Sequence, residues 1–472
     1  MSTVRVRFAP SPTGYLHIGS FRTAFFDWLW ARKNNGKFIL RIEDTDRSRY
    51  VPGAVENILE ALKWYGLDFD EGPIFQSERL DLYRKYARKL VEKGGAYHCF
   101  CTEERLDQIR KIQEANKLPT GYDGLCRTLA PEDVQRRLTA GEAYVIRQKI
   151  PNEGLTSFHD IVRGQVAVAN TTLDDTVLLK SDSFPTYHLA HVIDDHEMAI
   201  THVIRAEEWL PSTPRHVLLY KAFGWIPPIY AHPALVLGTD RSKLSKRHGA
   251  TSALEYRELG YLPEAVLNFI VLLGWNPKDD REIFTREELI KEFDLSKLNK
   301  AGAIFNIEKL DWLNGQYIKK MPLKDLAEKC KPWLDGNIET YDLEKVVALF
   351  HDRMKKLSDI RELSAFLFSR ELEYLGDLLI PKGGEKEDTV RGLSLSCDIL
   401  KSIGENDFVA AATKKVFEEF IKQRALTTKG ILWPLRVAVT GLAQSPGVFE
   451  VMEVLGKAEA IRRVEMAIGR LK

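Results

Sequence analysis

The 472-residue chain is too long for a single hydrophobic core and predicts two to four domains, and its 44% hydrophobic and 29% charged residues are typical of a globular protein. No apolar run approaches the roughly 18 to 20 residues of a membrane span, and the N-terminus lacks the hydrophobic region of a signal peptide, so we expect a cytoplasmic protein without a membrane partner. The 68 basic and 67 acidic side chains give a net charge of +1, so any nucleic-acid surface must come from local segregation of charge.

The chain opens with a strand, a rigid loop and the start of a helix. Apolar side chains alternate with arginines over residues 3–8, which predicts a short buried strand. The prolines and glycine of residues 9–14 force a tight, exposed turn, and a helical apolar period follows from Phe21. His17 and Gly19 therefore lie at a helix N-terminus, where free backbone N–H groups and the helix dipole favour an anion such as a phosphate. A purely structural turn is the alternative.

A second buried strand, residues 38–44, ends in acidic side chains. In open parallel sheets the ligand-binding groups lie beyond the carboxyl ends of the strands, which makes Glu43, Asp44 and Asp46 candidate functional residues. An acidic turn that caps a helix is the alternative for these carboxylates.

The next segments alternate between helices and strands. Helical periodicity covers residues 54–65 and 77–93, the second with a predicted N-cap at Ser77, and the β-α-β-α order predicts a doubly wound parallel sheet. Residues 96–184 break this rhythm, and we interpret them as an α+β insertion. Its strand-like segments are AYHCFC, AYVIRQKI, QVAVAN and TVLLKS. The doubly wound pattern resumes in residues 185–252.

From residue 253 onward helices dominate. We divide this part into a helical linker, residues 253–310, and an all-helical region, residues 311–472. Within the latter, the periodicity of LEKVVALFHDRMKKL predicts one helix over residues 343–357. An amphipathic helical array can bind RNA or another protein, and the pattern alone leaves both open.

Two short segments carry a resemblance to a known family. PSPTGYLHIGS (residues 10–20) and KLSKR (residues 243–247) resemble the HIGH and KMSKS signatures of class I aminoacyl-tRNA synthetases, although KLSKR alone also fits a solvated basic loop. The segments RIEDTDRSRYVPGA, YDGLCR, YHLAHVIDDH and VIRAEEWLPSTPRH are similar to bacterial glutamyl-tRNA synthetases. The resemblance covers nearly the whole chain.

The resemblance implies both a fold and a reaction. The fold is α/β: a doubly wound (Rossmann-type) parallel-sheet catalytic domain of residues 1–95 and 185–252, with an α+β insertion that meets the tRNA acceptor end, followed by an all-α C-terminal anticodon-binding region. The reaction is that of a glutamate–tRNA ligase, with ATP, Mg²⁺, L-glutamate and tRNA(Glu) as the implied partners. The enzyme would form glutamyl-adenylate and pyrophosphate and then transfer glutamate to the 3′ terminal adenosine. We expect a monomer, as is usual in the family.

Other functions are compatible with the same sequence. A non-discriminating enzyme would also charge tRNA(Gln). A non-catalytic tRNA- or nucleotide-binding relative is disfavoured because His17 and Lys246 are present. Another nucleotidyltransferase is disfavoured by the RNA-sized helical C-terminal half.

The resemblance transfers further roles residue by residue. Catalytic roles fall on five residues of the two signatures: His17, Gly19, Lys243, Ser245 and Lys246. ATP binding is implied for Pro10, Ser11, Thr13, Gly14, His17, Gly19, Trp209 and Lys246. Such residues would position the phosphates and neutralise charge as pyrophosphate leaves. Trp209 is expected beside the adenine, with a core tryptophan as the alternative, and tRNA contacts are implied for Asp44 and Arg353.

A glutamate pocket needs two cationic forks and one carboxylate, because the substrate carries two carboxylates and one ammonium. The implied binding residues are Arg7, Ser11, Glu43, Tyr187, His191 and Arg205. In the resembling enzymes Arg7 and Tyr187 face the side-chain carboxylate, and Arg205 faces the α-carboxylate. His191 replaces an asparagine of some family members, so its protonation could tune binding near neutral pH. A buried structural histidine is the alternative.

The insertion contains three of the five cysteines, whose odd number speaks against a disulfide framework. Cys99, Cys101 and Cys126 resemble the zinc site that some family members carry in this insertion. A structural zinc ion takes four tetrahedral ligands, and where related sites place a histidine this chain has Thr128. Three buried cysteines without a metal are the alternative.

Tyr122 is the candidate for the fourth zinc ligand. A zinc-bound tyrosine at the same spacing occurs in a truncated paralogue of the family. His98 precedes Cys99 on the predicted strand and should therefore point to the opposite face.

Overall fold

The computed structural model describes residues 3–249 and 251–472, and describes only the backbone of Lys246. The chain forms two compact units, Met1–Tyr256 with Val266–Ile307 and Arg257–Ala265 with Glu308–Lys472. No helix in the described ranges is long and apolar enough to cross a membrane.

The strands are short, and the first unit contains all of those that are described. They are β1 (Arg5–Phe8), β2 (Lys37–Ile42), β3 (Glu71–Phe75), β4 (Ala96–Cys99), β5 (Val145–Gln148), β6 (Leu155–Asp160), β7 (Gly164–Ala169), β8 (Val177–Leu179), β9 (His202–Ile204), β10 (Ile229–Ala231), β11 (Val236–Leu237) and β12 (Ala303–Ile304).

Helices account for most of the rest of the chain. They are α1 (Ile18–Lys33), α2 (Ala54–Tyr65), α3 (Leu80–Glu92), α4 (Glu103–Ala115), α5 (Pro131–Thr139), α6 (Tyr187–Glu197), α7 (Thr213–Phe223), α8 (Glu255–Glu258), α9 (Pro263–Leu272), α10 (Arg286–Glu292), α11 (Ile307–Lys320), α12 (Leu323–Cys330), α13 (Leu343–Ala348), α14 (Asp359–Phe368), α15 (Lys386–Ser402), α16 (Ala410–Gln423), α17 (Thr428–Thr440), α18 (Val448–Leu455) and α19 (Lys457–Leu471).

The central strands of the first unit are parallel and doubly wound, as predicted. On one side β1, β2 and β3 pair in parallel, and on the other β9, β10 and β6 do so, with β7 antiparallel at the edge. The two halves meet at β1 and β9, where the Thr201 N–H donates to the Arg5 carbonyl at 2.9 Å. The strand order reverses there, which opens a crevice beyond the carboxyl ends of β1 and β9.

The predicted α+β insertion is present as an antiparallel sheet of β4, β5 and β8, accompanied by α4 and α5. The QVAVAN segment, which the sequence placed in this insertion, forms β7 instead and pairs with β6 beside the parallel strands. The chain therefore leaves the insertion for a hairpin of the main sheet before it returns to β8.

Helix α1 is buried on nearly every side, whereas the periodicity predicted one buried face. It contacts β1, β2 and β9 on the sheet and α10 on its other side. Even Arg22 and Asp27 are fully buried, and burial raises the pKa of Asp27 well above its usual value. The first helix is thus a core element of the unit.

Two predicted helix boundaries are wrong. Ser77 does not cap α3, because a 3-10 turn over Gln76–Arg79 precedes that helix. The backbone N–H and the hydroxyl of Ser77 both donate to the Asp44 carboxylate instead. The helix predicted over residues 343–357 ends at Ala348, so Arg353 lies in a turn.

The second unit is all helical, as predicted, and a buried arginine joins three of its helices. Arg463 on α19 donates to the Phe366 carbonyl of α14 at 2.9 Å and to the Val439 carbonyl of α17 at 2.7 Å. Its Nε pairs with Glu459 at 2.7 Å. These C-terminal carbonyls have no intrahelical partner of their own, so the guanidinium satisfies buried helix ends that water cannot reach.

We expect Arg463→Lys to lower the thermal midpoint of the second unit by about 4–8 °C, which corresponds to about 2 kcal/mol for a unit of this size. A lysine keeps the charge but cannot bridge several carbonyls. Circular dichroism melting measures the shift. Arg462→Lys is the matched control, because Arg462 pairs with the same Glu459 from a half-exposed position. An equal fall in the thermal midpoint of both variants would contradict the bridging role of Arg463.

Candidate active site

The crevice between β1 and β9 gathers the residues that the sequence assigned to a glutamate pocket. Arg7 lies on β1, Glu43 directly follows β2, and Arg205 directly follows β9. Tyr187 and His191 project from the first two turns of α6. Residues far apart in sequence thus converge because the strands that carry them end at one edge of the sheet.

A network of buried charges holds one side of this pocket. Arg7 donates to Asp195 at 3.2 Å, and Arg41 donates to the same Asp195 oxygen at 2.7 Å and to Glu43 at 3.1 Å. Burial is the largest influence on Arg7 and opposes its charged form, but Asp195, Asp27 and Tyr187 together outweigh it, and the pKa of Arg7 is raised. For Glu43, burial outweighs the two arginines and the pKa of the carboxyl is raised.

Arg205 differs because neutral groups alone hold its guanidinium. Its three nitrogens donate to His232 at 3.0 Å, to Thr213 at 2.8 Å and to the Tyr187 hydroxyl at 2.7 Å. Among the described residues, no carboxylate lies within 4.0 Å of this group, which is only 6% exposed. A buried cation without an anionic partner is costly, so the pocket is prepared for an anion.

His191 belongs to the same pocket but is neutral at physiological pH. Its Nε2 lies 3.3 Å from Asp195, and its ring packs against Tyr187 and His216 with centroids at 5.1 and 4.7 Å. Burial, and then the charges of Arg205 and other arginines, lower the pKa of His191 well below its usual value. Titration near neutral pH, which the sequence suggested, is therefore not expected.

The start of α1 is less open to an anion than predicted. The ring of His17 caps the helix by accepting the Gly19 N–H at Nδ1, 3.0 Å away, and the Ile18 N–H donates to the Thr251 carbonyl at 2.7 Å. Two of the N–H groups expected to be free are therefore occupied. Burial and the charge of Lys243 lower the pKa of His17, so the neutral ring keeps Nε2–H as a donor.

The loop before α1 presents several of the predicted ATP-binding residues. Ser11 and Thr13 are exposed, while Pro10 and Gly14 are half-buried. The Pro10 carbonyl accepts the Glu43 N–H at 3.0 Å, which ties the loop to the end of β2.

Trp209 is not a core tryptophan, since 39% of its surface is exposed. Its ring centroid lies 4.6 Å from that of Tyr187, at the rim of the pocket. This position favours contact with a ligand over a purely structural role.

The KLSKR segment lies in a loop that follows β11 and is held by ion pairs. Lys243 pairs with Glu208, and Arg247 pairs with Asp240 at 2.8 Å. The Ser245 N–H donates to the His248 ring at 3.0 Å. The side chain of Lys246 lies outside the described part of the chain.

Asp44 lines a separate open groove of about 470 Å³ beyond β2. Both of its oxygens accept hydrogen bonds from Ser77, at 2.8 and 2.6 Å. Arg47, Tyr50 and Phe184 complete the lining. Asp46 forms the acidic turn that was its alternative, because it accepts hydrogen bonds from the side chains of Ser48 and Arg49.

The three cysteines of the insertion meet as predicted. Their sulfurs all lie within 4.8 Å of one another, with Cys101 and Cys126 3.6 Å apart, and the Tyr122 hydroxyl lies 3.3 Å from Cys99 and 3.6 Å from Cys101. Zinc–sulfur bonds of about 2.3 Å in a tetrahedron separate sulfurs by about 3.8 Å, so these four groups fit one zinc ion. His98 points elsewhere, as expected, and packs on Tyr144.

Arg353 in the second unit is exposed, and it donates to the Ser445 carbonyl at 2.9 Å. Ser445 lies in the loop between α17 and α18. Arg353 therefore lies in a turn and not on the helix predicted over residues 343–357.

The sequence did not single out several residues that shape the pocket. Arg41 and Asp195 pair with each other, and Asp195 also pairs with Arg7, while His216 and His232 surround Arg205. A signal existed for the first two, since charged residues within a strand and a helix that are otherwise buried need a partner. Nothing in the pattern indicated the two histidines.

Comparison with known proteins identifies the family. The sequence model of "tRNA synthetases class I (E and Q), catalytic domain" matches residues 3–312, and that of an "Anticodon binding domain" matches residues 325–468.

Relatives match the chain over its full length. A "Glutamate--tRNA ligase" of Dehalococcoides mccartyi is 50% identical and covers 99% of this chain and 98% of its own, and a "Glutamate--tRNA ligase 2" of Thermoanaerobacter pseudethanolicus is 46% identical with the same coverage. The crystal structure of a glutamate tRNA ligase from Elizabethkingia meningosepticum in complex with its amino acid superposes with a TM-score of 0.92 at 40% identity, covering 100% of both chains. The resemblance found in the sequence is confirmed, and the chain belongs to the class I tRNA synthetases (E and Q).

Proposed function

We propose that the protein is a glutamate–tRNA ligase, which activates glutamate with ATP and transfers it to the 3′ terminal adenosine of tRNA(Glu). The observation that carries the proposal is the pair of buried guanidinium groups, Arg7 and Arg205, at the crevice between β1 and β9, with the Glu43 carboxylate close enough to Arg7 to interact with its charge. This charge pattern is complementary to two carboxylates and one ammonium. The names of the full-length relatives support it.

Within this pocket, each charge has a distinct role. Arg205, which has no anionic partner among the described residues, receives the α-carboxylate. Arg7 and Tyr187 face the side-chain carboxylate, and Glu43 with Ser11 meets the ammonium. His191 contributes a neutral ring to the pocket wall. Because the single carboxylate of Asp195 is shared by Arg7 and Arg41, Arg7 keeps positive charge for the incoming side-chain carboxylate.

ATP binds above the start of α1, as a complex with the Mg²⁺ that enzymes of this family use. The neutral ring of His17 donates Nε2–H to a phosphate oxygen, because its Nδ1 is occupied by Gly19. Lys243, Ser245 and Lys246 approach the leaving pyrophosphate from the KLSKR loop, and Trp209 with the loop of Pro10, Thr13 and Gly14 bounds the nucleotide. Lys243 would exchange Glu208 for phosphate.

tRNA contacts both units in this proposal. The acceptor end lies along the groove of Asp44, where Arg47 and exposed Tyr50 offer charge and stacking. Arg353, anchored beside the α17–α18 loop, reads an anticodon base. We propose residues 96–184, apart from the β6–β7 hairpin of the main sheet, as the acceptor-end insertion, 253–310 as the linker and 311–472 as the anticodon-binding region.

One structural zinc ion is held by Cys99, Cys101, Cys126 and Tyr122. When bound it would join the end of β4 to the loop before α5, and it would supply no reaction chemistry. We also expect a cytoplasmic monomer. The comparisons give no support to the alternative that tRNA(Gln) is charged as well.

The first prediction is that the purified protein charges tRNA(Glu) with glutamate in the presence of ATP and Mg²⁺. Filter-bound radiolabelled glutamate measures charging, with tRNA(Gln) as the parallel substrate. Charging of tRNA(Glu) far above that of tRNA(Gln) supports the proposal, and no charging of tRNA(Glu) refutes it. Equal charging of both tRNAs would show that the enzyme does not discriminate between them, and it would rule out the anticodon role proposed for Arg353.

The second prediction concerns recognition of the side-chain carboxylate. Arg7→Ala should lower the ratio of kcat/KM for glutamate to that for glutamine at least about tenfold, because the amide no longer leaves a buried arginine unpaired. Pyrophosphate exchange with each amino acid, in the presence of tRNA, measures the ratio. Arg5→Ala is the control on the same strand, since Arg5 points away to Glu71; an unchanged ratio in Arg7→Ala would assign the carboxylate to another group.

The third prediction is that protein purified without chelator contains about one zinc per chain, because four ligands match one tetrahedral ion. Cys101→Ser should lose the metal, and Tyr122→Phe should release it faster to a chelator. Cys397→Ser, a buried free cysteine of the second unit, is the control. Plasma emission spectrometry measures the zinc content, and metal-free wild-type protein would disprove the site.

A further inference from the structure

Behind Arg205 lies a second layer of buried polar groups. His232, directly after β10, accepts the Arg205 Nε–H at Nε2, 3.0 Å away, and its Nδ1 lies 2.6 Å from Asp160 at the end of β6. Asp160 and His232 are fully buried, so no water competes with these bonds. The three residues form a chain of hydrogen bonds from β6 through the end of β10 to the pocket.

The order of donors and acceptors in this chain is fixed by chemistry. The Asp160 carboxylate can only accept, so the Nδ1 of His232 carries a proton. The guanidinium of Arg205 can only donate, so the Nε2 of His232 must be unprotonated. Burial lowers the pKa of His232, which keeps the ring in this neutral form.

Asp160 is itself held in one orientation by the backbone. Its Oδ1 accepts the N–H groups of Val162 at 2.9 Å and Arg163 at 2.8 Å. Oδ1 also accepts the backbone N–H of His232 at 3.3 Å, so Oδ2 is the oxygen that faces the imidazole ring. The carboxylate is therefore a fixed reference that selects the tautomer of the histidine.

We propose that His232 is a positioning residue for Arg205, and that Asp160 acts through it by holding the Nδ1–H tautomer, so that the guanidinium is aimed at the α-carboxylate of the amino acid. The inference rests on the role given to Arg205 in the proposed function. A neutral acceptor beside Arg205 fixes the orientation of the guanidinium without neutralising its charge. A carboxylate in the same place would compete with the substrate for that charge.

The substitution Asp160→Asn should change the tautomer of His232 while it preserves the fold. The asparagine oxygen still accepts from Val162 and Arg163, so its NH₂ takes the place of Oδ2 and donates towards Nδ1 of His232. The proton of His232 must then move to Nε2, where it opposes the Nε–H of Arg205. Two donors face each other, and Arg205 is displaced.

The experiment measures steady-state charging of tRNA(Glu) at varied glutamate and at varied ATP. We expect Asp160→Asn to raise the KM for glutamate by about tenfold to a hundredfold with little change in the KM for ATP or in the thermal midpoint. The control Asp294→Asn replaces another aspartate whose Oδ1 caps a turn, at Ser296, and should change neither KM. An unchanged KM for glutamate in Asp160→Asn, or an equal rise for ATP, would overturn the inference.

A second pair of variants decides the matter if Asp160→Asn is unstable. His232→Gln places an amide oxygen where Nε2 accepts from Arg205, whereas His232→Asn can still donate to Asp160 but does not reach Arg205. We expect the KM for glutamate to stay within about threefold of wild type in His232→Gln and to rise at least about tenfold in His232→Asn. Equal values in both would overturn the inference while the wild-type activity stands. Absence of charging by the wild-type protein would overturn the proposed function and this inference together.

Discussion

Burial of arginine charge at the junction of β1 and β9 is the constraint on which the rest of the first unit depends. A buried ion costs several kcal/mol unless it is compensated, and two solutions lie side by side in one pocket. Arg7 and Arg41 share the Asp195 carboxylate, whereas Arg205 is held by neutral acceptors alone. The first solution stabilises the fold, and the second leaves charge available for a ligand. Arg205 therefore favours an anionic group of the ligand at its end of the pocket.

The fold also brings the two signature segments together through the backbone. The Ile18 N–H and the Leu16 carbonyl bond to the Thr251 carbonyl and the Ala253 N–H, so the start of α1 pairs with the chain that follows the KLSKR loop. At its other end the loop begins at β11, which pairs with β12. The loop is thus anchored on both sides, while the side chains of Lys243 and Arg247 are held by exposed ion pairs that are weak in water. Firm ends with weakly held side chains suit the role proposed for this loop, in which its side chains exchange these ion pairs for phosphate oxygens.

The fold class and the cysteine cluster could be predicted because each leaves a local signal, and the pocket residues were implied by the resemblance of their segments to a known family. Alternating arginines marked β1, and Cys-x-Cys marked the cysteine cluster. The missed features depend on contacts between distant segments. His232 and Asp160 are 72 residues apart, and no periodicity links them. The helix predicted beyond Ala348 and the cap predicted at Ser77 failed because tertiary contacts, here the bonds of Ser77 to Asp44, override local propensity.

The junction of β1 and β9 also has a consequence for how the protein is made. Arg5 and Thr201, which join the two strands, are 196 residues apart. A ribosome that adds about 5–20 residues per second needs about 10–40 s to synthesise that interval. Until then the edge of β1, with Val6 and Phe8, has no neighbour on that side. The insertion has antiparallel strands that pair within residues 96–179, so it can fold during this delay. It can therefore be complete before the main sheet that it interrupts in sequence.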